Sequence, residues 1–179
     1  MCRITKDEIK GRYSKQKMQD IYEKVKKQGN IADFVRSYMY DEEDFVARNA
    51  LGSVTKATKS ELQQLKPMLN ELIDRAMQTE DSSIRRMLLC IIDRIDISIN
   101  DLRTDWLNFC LDNMTDPRQS PAIQALCMKL AWRMCRFYPE LMGEMQRIIE
   151  DLETDYYTPA TKSVIRHIMR EQRRKRQDL

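Results

Sequence analysis

Glycine, proline and histidine are scarce in this chain of 179 residues, which has four, five and one of them. So few glycines and prolines leave little room for the many tight turns of an all-β fold, and we expect a mostly helical protein. The single histidine, His167, removes most nucleophile–base pairs and most metal sites from consideration. Ser163 lies one helical turn before it, but the sequence places no acidic residue to orient the ring, so we expect a solvent-facing or helix-end histidine.

Long apolar segments are also missing. The longest run, Met87–Ile92, falls far short of the roughly 20 residues that cross a bilayer. The basic start of the chain has no apolar segment behind it, so the sequence predicts neither a membrane span nor a secretion signal.

The five cysteines form an odd set without the paired short spacings of a metal site or a disulfide framework. Four of them fall on apolar helical positions, where a thiol behaves as a small hydrophobic group: Cys90, Cys110, Cys127 and Cys135. Cys127 and Cys135 share one predicted helix, but no second ligand pair accompanies them. We therefore expect reduced, buried thiols, no metal or cofactor, and a cytoplasmic location.

Charge is unevenly distributed although the net charge is only +3. Residues 1–40 and 161–179 are basic, and the body between them is acidic. Such asymmetry indicates either nucleic-acid or acidic partners, or solvated helix faces. The run Arg170–Arg176 has no interleaved aromatic residue, which favours a solvated tail over docking on phosphates. The acidic clusters 41–44 and 150–155 fit helix ends.

Apolar residues recur at helical spacing in units of about 38 residues. The stripe of the first helix in each unit begins at Ala47, Ile84, Ile123 and Thr161, and that of the second helix begins at Leu65, Leu102 and Leu141. The first two offsets are 37 and 39 residues in both series. Because the two series agree independently, the pattern predicts stacked helical hairpins in a repeat array.

Helix boundaries fit this frame. Proline at or near a first helical position predicts three helix starts: Ser120-Pro121, Tyr138-Pro139 and Thr158-Pro159. Ser60 with Gln63 predicts a capping box. Pro67 lies either in the first turn of a helix or at a kink in a helix that runs unbroken from Glu61.

We divide the chain into a basic N-terminal helical cap, residues 1–40, and a repeat domain, residues 41–179, with units near 41–78, 79–115, 116–155 and 156–179. The last unit keeps only its first helix. The predicted fold is all-α, a short right-handed α-solenoid of about three and a half helical hairpins with an N-terminal helical cap.

The segments 44–52 and 81–86 resemble the start of a HEAT or armadillo-like unit, where an acidic turn precedes Val or Ile, then Arg and small apolar residues. The equivalent position is basic in three of four units: Arg48, Arg85, Gln124 and Lys162. The resemblance covers roughly residues 41–170, with a short unit and no regular Asp/Arg ladder between units. It implies an α-solenoid whose second helices line a concave face that binds proteins or, less often, nucleic acids.

Leu107 and Leu111 make the middle unit apolar where its neighbours are polar. Either they form an exposed apolar patch on the concave side, or the units pack tightly and bury both. The first alternative predicts a partner-binding set with four charged flanking residues: Glu71, Asp74, Arg103, Leu107, Leu111 and Arg147.

No combination of residues in the sequence has the pattern of a catalytic site, so we predict no catalytic residue. The leading hypothesis is a non-enzymatic interaction or scaffold module that binds a protein or peptide on its concave face. The alternative is a nucleic-acid-binding HEAT-like protein, similar to DNA glycosylases or an accessory factor, that uses the two basic ends.

Overall fold

The computed structural model describes residues 4–43, 45–152, 155 and 157–177, with side chains at all of these except 139 and 172–177. Every regular element in that part of the chain is a helix. The α-helices are α1 (Lys6–Ile9), α2 (Lys15–Gln28), α3 (Ile31–Tyr38), α4 (Val46–Val54), α5 (Lys59–Leu62), α6 (Leu69–Gln78), α7 (Ser82–Ile92), α8 (Thr104–Thr115), α9 (Pro121–Cys135), α10 (Pro139–Glu150) and α11 (Pro159–Gln177). Short 3-10 segments occupy Gln63–Met68 and Ile99–Asp101.

The chain forms two compact units. The first unit, Met1–Asp96, contains α1 to α7, and the second unit, Ile97–Leu179, contains α8 to α11. The boundary between the two units, after Asp96, falls within the predicted repeat 79–115. The predicted cap, 1–40, and the predicted repeat boundaries stay predictions.

Helix starts recur with the predicted period. The Asp81 carboxylate accepts hydrogen bonds from the backbone N–H groups of Ser83 and Ile84, at 2.8 and 3.1 Å, and so caps α7. Ser120 and Thr158 cap α9 and α11 through their hydroxyl oxygens. These three caps lie 39 and 38 residues apart along the chain. Capping side chains satisfy N–H groups that lack a partner inside the helix, which is why they fix where each helix begins.

α4 is the centre of the first unit, and α1, α2, α3 and α7 all pack against it. Its apolar residues are almost completely buried. Gly52 allows the close approach of α2, because a Cβ atom at this position would lie only 3.1 Å from Met18 Sδ. A core helix enclosed on several sides is typical of the first helices in a repeat array.

α9 has the same role in the second unit, where α8, α10 and α11 pack against it. Trp106 of α8 is buried and stacks on Phe109, with ring centroids 5.3 Å apart. Trp132 of α9 donates its Nε1–H to Glu171 of α11 at 2.8 Å. The last helix is therefore held by a charge-assisted hydrogen bond as well as by apolar packing.

Arginine side chains satisfy carbonyl groups at helix C-termini in the first unit. Arg94, just beyond α7, donates from Nη1 to Ala57 O at 2.7 Å and from Nη2 to Thr55 O at 2.8 Å, at the end of α4. Arg75 and Arg85 donate in the same way to carbonyls at the ends of α3 and α6. The last carbonyls of a helix have no intrahelical partner and carry partial negative charge. A guanidinium there therefore supplies the missing hydrogen bonds and is also attracted to the negative end of the helix.

The capping box at α5 lies two residues earlier than predicted. Thr58 and Glu61 form it, not Ser60 and Gln63: the Glu61 carboxylate accepts from the Thr58 N–H at 2.7 Å, and the Thr58 hydroxyl accepts from the Glu61 N–H at 3.3 Å. Both pairs fit the sequence motif, and the earlier one starts the helix. Pro67 lies in the 3-10 segment between α5 and α6, so the helical path changes type at the proline.

Glu61 provides a pH-dependent prediction. Hydrogen bonds from the Thr58 N–H and from Lys26 lower its pKa from 4.5 to about 2. A carboxylate whose pKa is lower in the folded than in the unfolded state stabilises the fold above its unfolded pKa, and this contribution is lost as the pH falls through the folded pKa. We expect Glu61→Gln to lower the free energy of unfolding by about 1 kcal/mol at pH 7.

In urea unfolding, the difference between wild type and Glu61→Gln should shrink below pH 4.5 and vanish only below about pH 2. Glu80→Gln, at an exposed position, is the matched control and should change little at any pH. A Glu61→Gln effect of constant size across this range would show that the charge is not what stabilises the helix start.

Candidate functional site

An apolar groove lies between α8 and the beginning of α10, with the end of α9 at its base. Its volume is about 440 Å³. Apolar side chains form most of its walls: Leu102, Leu107, Leu111, Met134, Tyr138 and Leu141. Polar and charged residues complete the lining: Arg103, Thr104, Asn108, Glu140 and Glu144. We call this the α8–α10 groove, and every residue that lines it belongs to the second unit.

The groove follows from the pattern of α8. Trp106, Cys110 and Met114 recur every four residues and are buried in the second unit. Leu107 and Leu111 each come one residue later, and one residue turns about 100° around a helix axis. Their side chains are therefore directed away from that buried row, and both remain half-buried rather than fully enclosed.

The rim of the groove is acidic. Arg103 donates to both carboxylate oxygens of Asp105, at 3.1 and 2.6 Å, so its charge is already compensated. Glu140 and Glu144 are exposed, and no ion pair of the described residues engages either of them. Burial, followed by the charge of Glu144, raises the pKa of the Cys135 thiol to about 11, so the field of this carboxylate reaches the end of α9.

The structure brings together three of the six predicted partner-binding residues. Arg103, Leu107 and Leu111 line the groove. Arg147 is exposed on α10 but does not line it. The other two belong to α6 of the first unit: Asp74 is half-buried, and Glu71 lies 3.6 Å from Arg36.

Sequence reasoning missed the second wall of the groove. The sequence pattern places Leu141 in the packing stripe of its helix, yet this residue is half-buried and lines the groove with Tyr138 and Glu144. The sequence feature that could have indicated this wall is Tyr138, an aromatic residue directly before the proline at which α10 begins. An aromatic side chain at such a corner has few neighbours from its own helix and stays 36% exposed.

A second cavity, of about 310 Å³, lies in the first unit beside the acidic turn 41–43. Its two arginines are already engaged. Arg48 pairs with Asp81 at 2.6 Å, while Arg75 donates to a backbone carbonyl and lies over the Tyr40 ring at 5.2 Å from its centroid. The cavity is polar and both of its arginines are engaged, so it is a weaker candidate for an apolar partner than the α8–α10 groove.

The predicted histidine environment needs a correction. Glu171 Oε1 lies 3.7 Å from His167 Nε2, so an acidic residue one turn later does stand beside the ring. The imidazole is 70% exposed, which agrees with a solvent-facing position. Glu171 also accepts the hydrogen bond from Trp132, and this role in packing accounts for its position.

The described cysteines are free thiols. Cys110, Cys127 and Cys135 are buried as predicted, whereas Cys90 is only half-buried. Burial raises the pKa of Cys110, and its hydrogen bond with Cys127 acts in the same direction. Among the residues with described positions, no cluster of His, Cys, Asp or Glu has the arrangement of a metal site. These thiols therefore act as small apolar groups in the core of the second unit.

Ion pairs compensate much of the positive charge in the basic N-terminal segment. Four of its lysines contact carboxylates: Lys6 with Asp41 and Glu43, Lys10 with Asp7, Lys24 with Glu8, and Lys26 with Glu61.

The Arg170–Arg176 run lies mostly outside the described side chains, and Asp44 and part of the acidic cluster 150–155 lie outside the described residues. No helix in the described part of the chain is both long and apolar enough to cross a membrane.

A comparison with known families decides the assignment. The model of the HEAT repeat domain matches residues 5–172, nearly the whole chain. The chain belongs to the HEAT repeat family. The predicted all-α, α-solenoid class is thereby confirmed, and the match includes most of the segment predicted as an N-terminal cap. Neither a search of curated proteins nor a search of solved structures found a match.

An ion pair of the Asp/Arg type connects α4 with the start of α7, which belong to neighbouring predicted units. Arg48 contacts Asp81, the residue that caps the next first helix. Burial alone would raise the pKa of Asp81. Hydrogen bonds from the Ile84 N–H and from Arg48 outweigh this effect and lower the pKa. Arg85 instead turns back to carbonyls at the end of α6, and Ser120 replaces the aspartate in the following unit.

HEAT repeats generally serve as protein-interaction scaffolds, and the family is typically non-enzymatic. Such scaffolds present extended surfaces formed by stacked helices. The α8–α10 groove is lined mainly by apolar side chains, and it contains the two leucines that interrupt the polar pattern of the second helices.

Proposed function

We propose that this protein is a non-enzymatic interaction module that binds a segment of a partner protein in the α8–α10 groove. The observation that supports it is the half-buried state of Leu107 and Leu111, which face a groove of about 440 Å³ beside Met134 and Tyr138. Apolar side chains that remain accessible in a concave site gain free energy when a partner removes them from water. Buried apolar anchors contribute most of the binding energy in such interfaces.

The predicted concave face of the HEAT array is consistent with this position. α8 is the second helix of its predicted repeat, and second helices line the inner side of such arrays in the family that the chain resembles. The cytoplasmic location inferred from the reduced cysteines is part of the same proposal.

A library of random peptides displayed on phage, selected on the full chain, tests the proposal. We expect enriched peptides whose affinity falls at least tenfold on Leu107→Asp, because a carboxylate in the apolar wall would be buried without a partner. Leu126→Asp changes a half-buried leucine of the same unit that does not line the groove, and it should leave affinity within about twofold.

A second variant separates lost binding from lost folding. Asn108→Trp places a large side chain at an exposed position on the groove wall and leaves the core untouched. It should obstruct the groove while the circular dichroism spectrum and thermal midpoint stay those of the wild type. Enriched peptides that bind Asn108→Trp as tightly as the wild type would overturn the proposed site.

Nucleic-acid binding is the competing outcome. Four lysines of the N-terminal segment are already paired with carboxylates, which reduces the positive charge available for phosphates. A protein-binding groove should give almost no retention on DNA. Retention that declines steeply with salt would instead indicate phosphate contacts and would favour the nucleic-acid alternative.

A further inference from the structure

We propose that the segment bound in the α8–α10 groove is a short amphipathic helix that carries basic residues beside its apolar anchors. This inference rests on the proposed function and specifies its partner. It combines the shape of the groove, the apolar pattern of its long wall and the uncompensated acidic residues on its rim.

The shape of the groove favours a helical occupant. Thr104, Leu107 and Leu111 line one wall at spacings of three and four residues, which is one face of α8. From Thr104 to Leu111 this wall is about 10 Å long, or two turns. Helices pack into one another through ridges with the same spacing, so two turns of a partner helix match this wall.

Other peptide-binding modes fit less well. Addition of a strand requires an open sheet edge, and the regular elements in the described part of the chain are helices. Polyproline segments dock in grooves lined by several aromatic rings, whereas Tyr138 is the single aromatic residue in this lining. Helix-in-groove binding therefore remains as the mode that these walls support.

The rim determines the charge of the occupant. Glu140 and Glu144 stand one turn apart on α10 and are both exposed, while Arg103 on the opposite wall is neutralised by Asp105. The rim thus has an excess of negative charge. A lysine or arginine next to an apolar anchor would complement it, and an acidic or phosphorylated segment would be repelled.

Selection on charge-reversed protein tests this chemistry. Random peptides are selected in parallel on the wild type, on the double variant Glu140→Lys, Glu144→Lys and on Glu150→Lys. We expect enrichment of Lys and Arg on the wild type and enrichment of Asp and Glu on the double variant. Glu150→Lys, on the same helix but outside the groove lining, should keep the basic preference.

A synthetic copy of an enriched peptide then quantifies the effect. Its affinity, measured by fluorescence anisotropy, should fall at least tenfold on the double variant and decrease with rising salt. A proline at the centre of the peptide should abolish binding, because proline breaks a helix. Unchanged affinity in either comparison would overturn the corresponding part of the inference.

The outcomes for the site and for its partner are distinguishable. Peptides that lose binding on Asn108→Trp but show no charge preference leave the proposed function intact and refute the basic partner. Peptides that bind Asn108→Trp normally refute the groove itself, whatever their charge.

Discussion

Replacing Arg94 with methionine is expected to lower the free energy of unfolding by about 3 kcal/mol. A hydrogen bond from a charged donor contributes about 1.5 to 3 kcal/mol, and the two that reach the end of α4 are lost. The guanidinium donates to Thr55 O and to Ala57 O, and Ala57 is buried. Methionine keeps much of the side-chain volume but leaves both carbonyls without a donor. It also removes a positive charge from the C-terminal end of α4.

Two further substitutions make the Arg94 result specific. Arg86→Met removes an exposed arginine from α7 and should change stability by no more than about 0.5 kcal/mol. Arg94→Lys keeps the charge but loses the planar fork that reaches two carbonyls, so it should fall between methionine and wild type. Urea unfolding followed by circular dichroism measures all three. Equal stability of Arg94→Met and Arg86→Met would contradict the assigned role.

Asn49→Asp has the second large expected effect. It should lower the free energy of unfolding by about 3 kcal/mol near neutral pH, because two hydrogen bonds are lost and an unpaired charge is buried. Asn49 is buried in α4 and donates its Nδ2–H groups to Ile9 O and to Gly11 O, each at 2.7 Å. Aspartate has nearly the same shape but is an acceptor only. Its carboxylate would therefore face two carbonyl oxygens without a donor.

The Asn49→Asp defect should depend on pH. Burial and the facing carbonyls would raise the folded pKa of the new carboxyl group above its unfolded value, so the destabilisation should decrease as the pH falls below that folded pKa. Asn70→Asp, at an exposed position of α6, is the control and should be nearly neutral. A pH-independent loss of stability would show that the two lost amide hydrogen bonds, and not a buried charge, cause the defect.

Helix positions could be predicted from the sequence because the signals are local. Asp81, Ser120 and Thr158 each supply a capping oxygen directly before an apolar stripe, and the stripe repeats with the same period. The capping box at Thr58 shows the limit of such signals. Where two overlapping pairs satisfy one motif, tertiary packing decides which of them starts the helix.

Contacts between distant parts of the chain could not be predicted in this way. The Asn49 amide reaches carbonyls about 40 residues earlier, and Arg94 reaches carbonyls nearly as far back. Backbone carbonyls are present at every residue, so the sequence does not indicate which of them is the acceptor. The groove shows the same limit. Leu107 and Leu111 stood out from their repeat, but Leu141 became the facing wall only when α10 packed against α9.

Both tryptophans of the chain, Trp106 and Trp132, lie in the second unit. Intrinsic fluorescence is therefore a spectroscopic reporter for that half alone, whereas the far-ultraviolet dichroism sums helices from both halves. Comparing the two signals on a single sample of the Arg94 or Asn49 variants would measure how much cooperativity the halves share, without any added label.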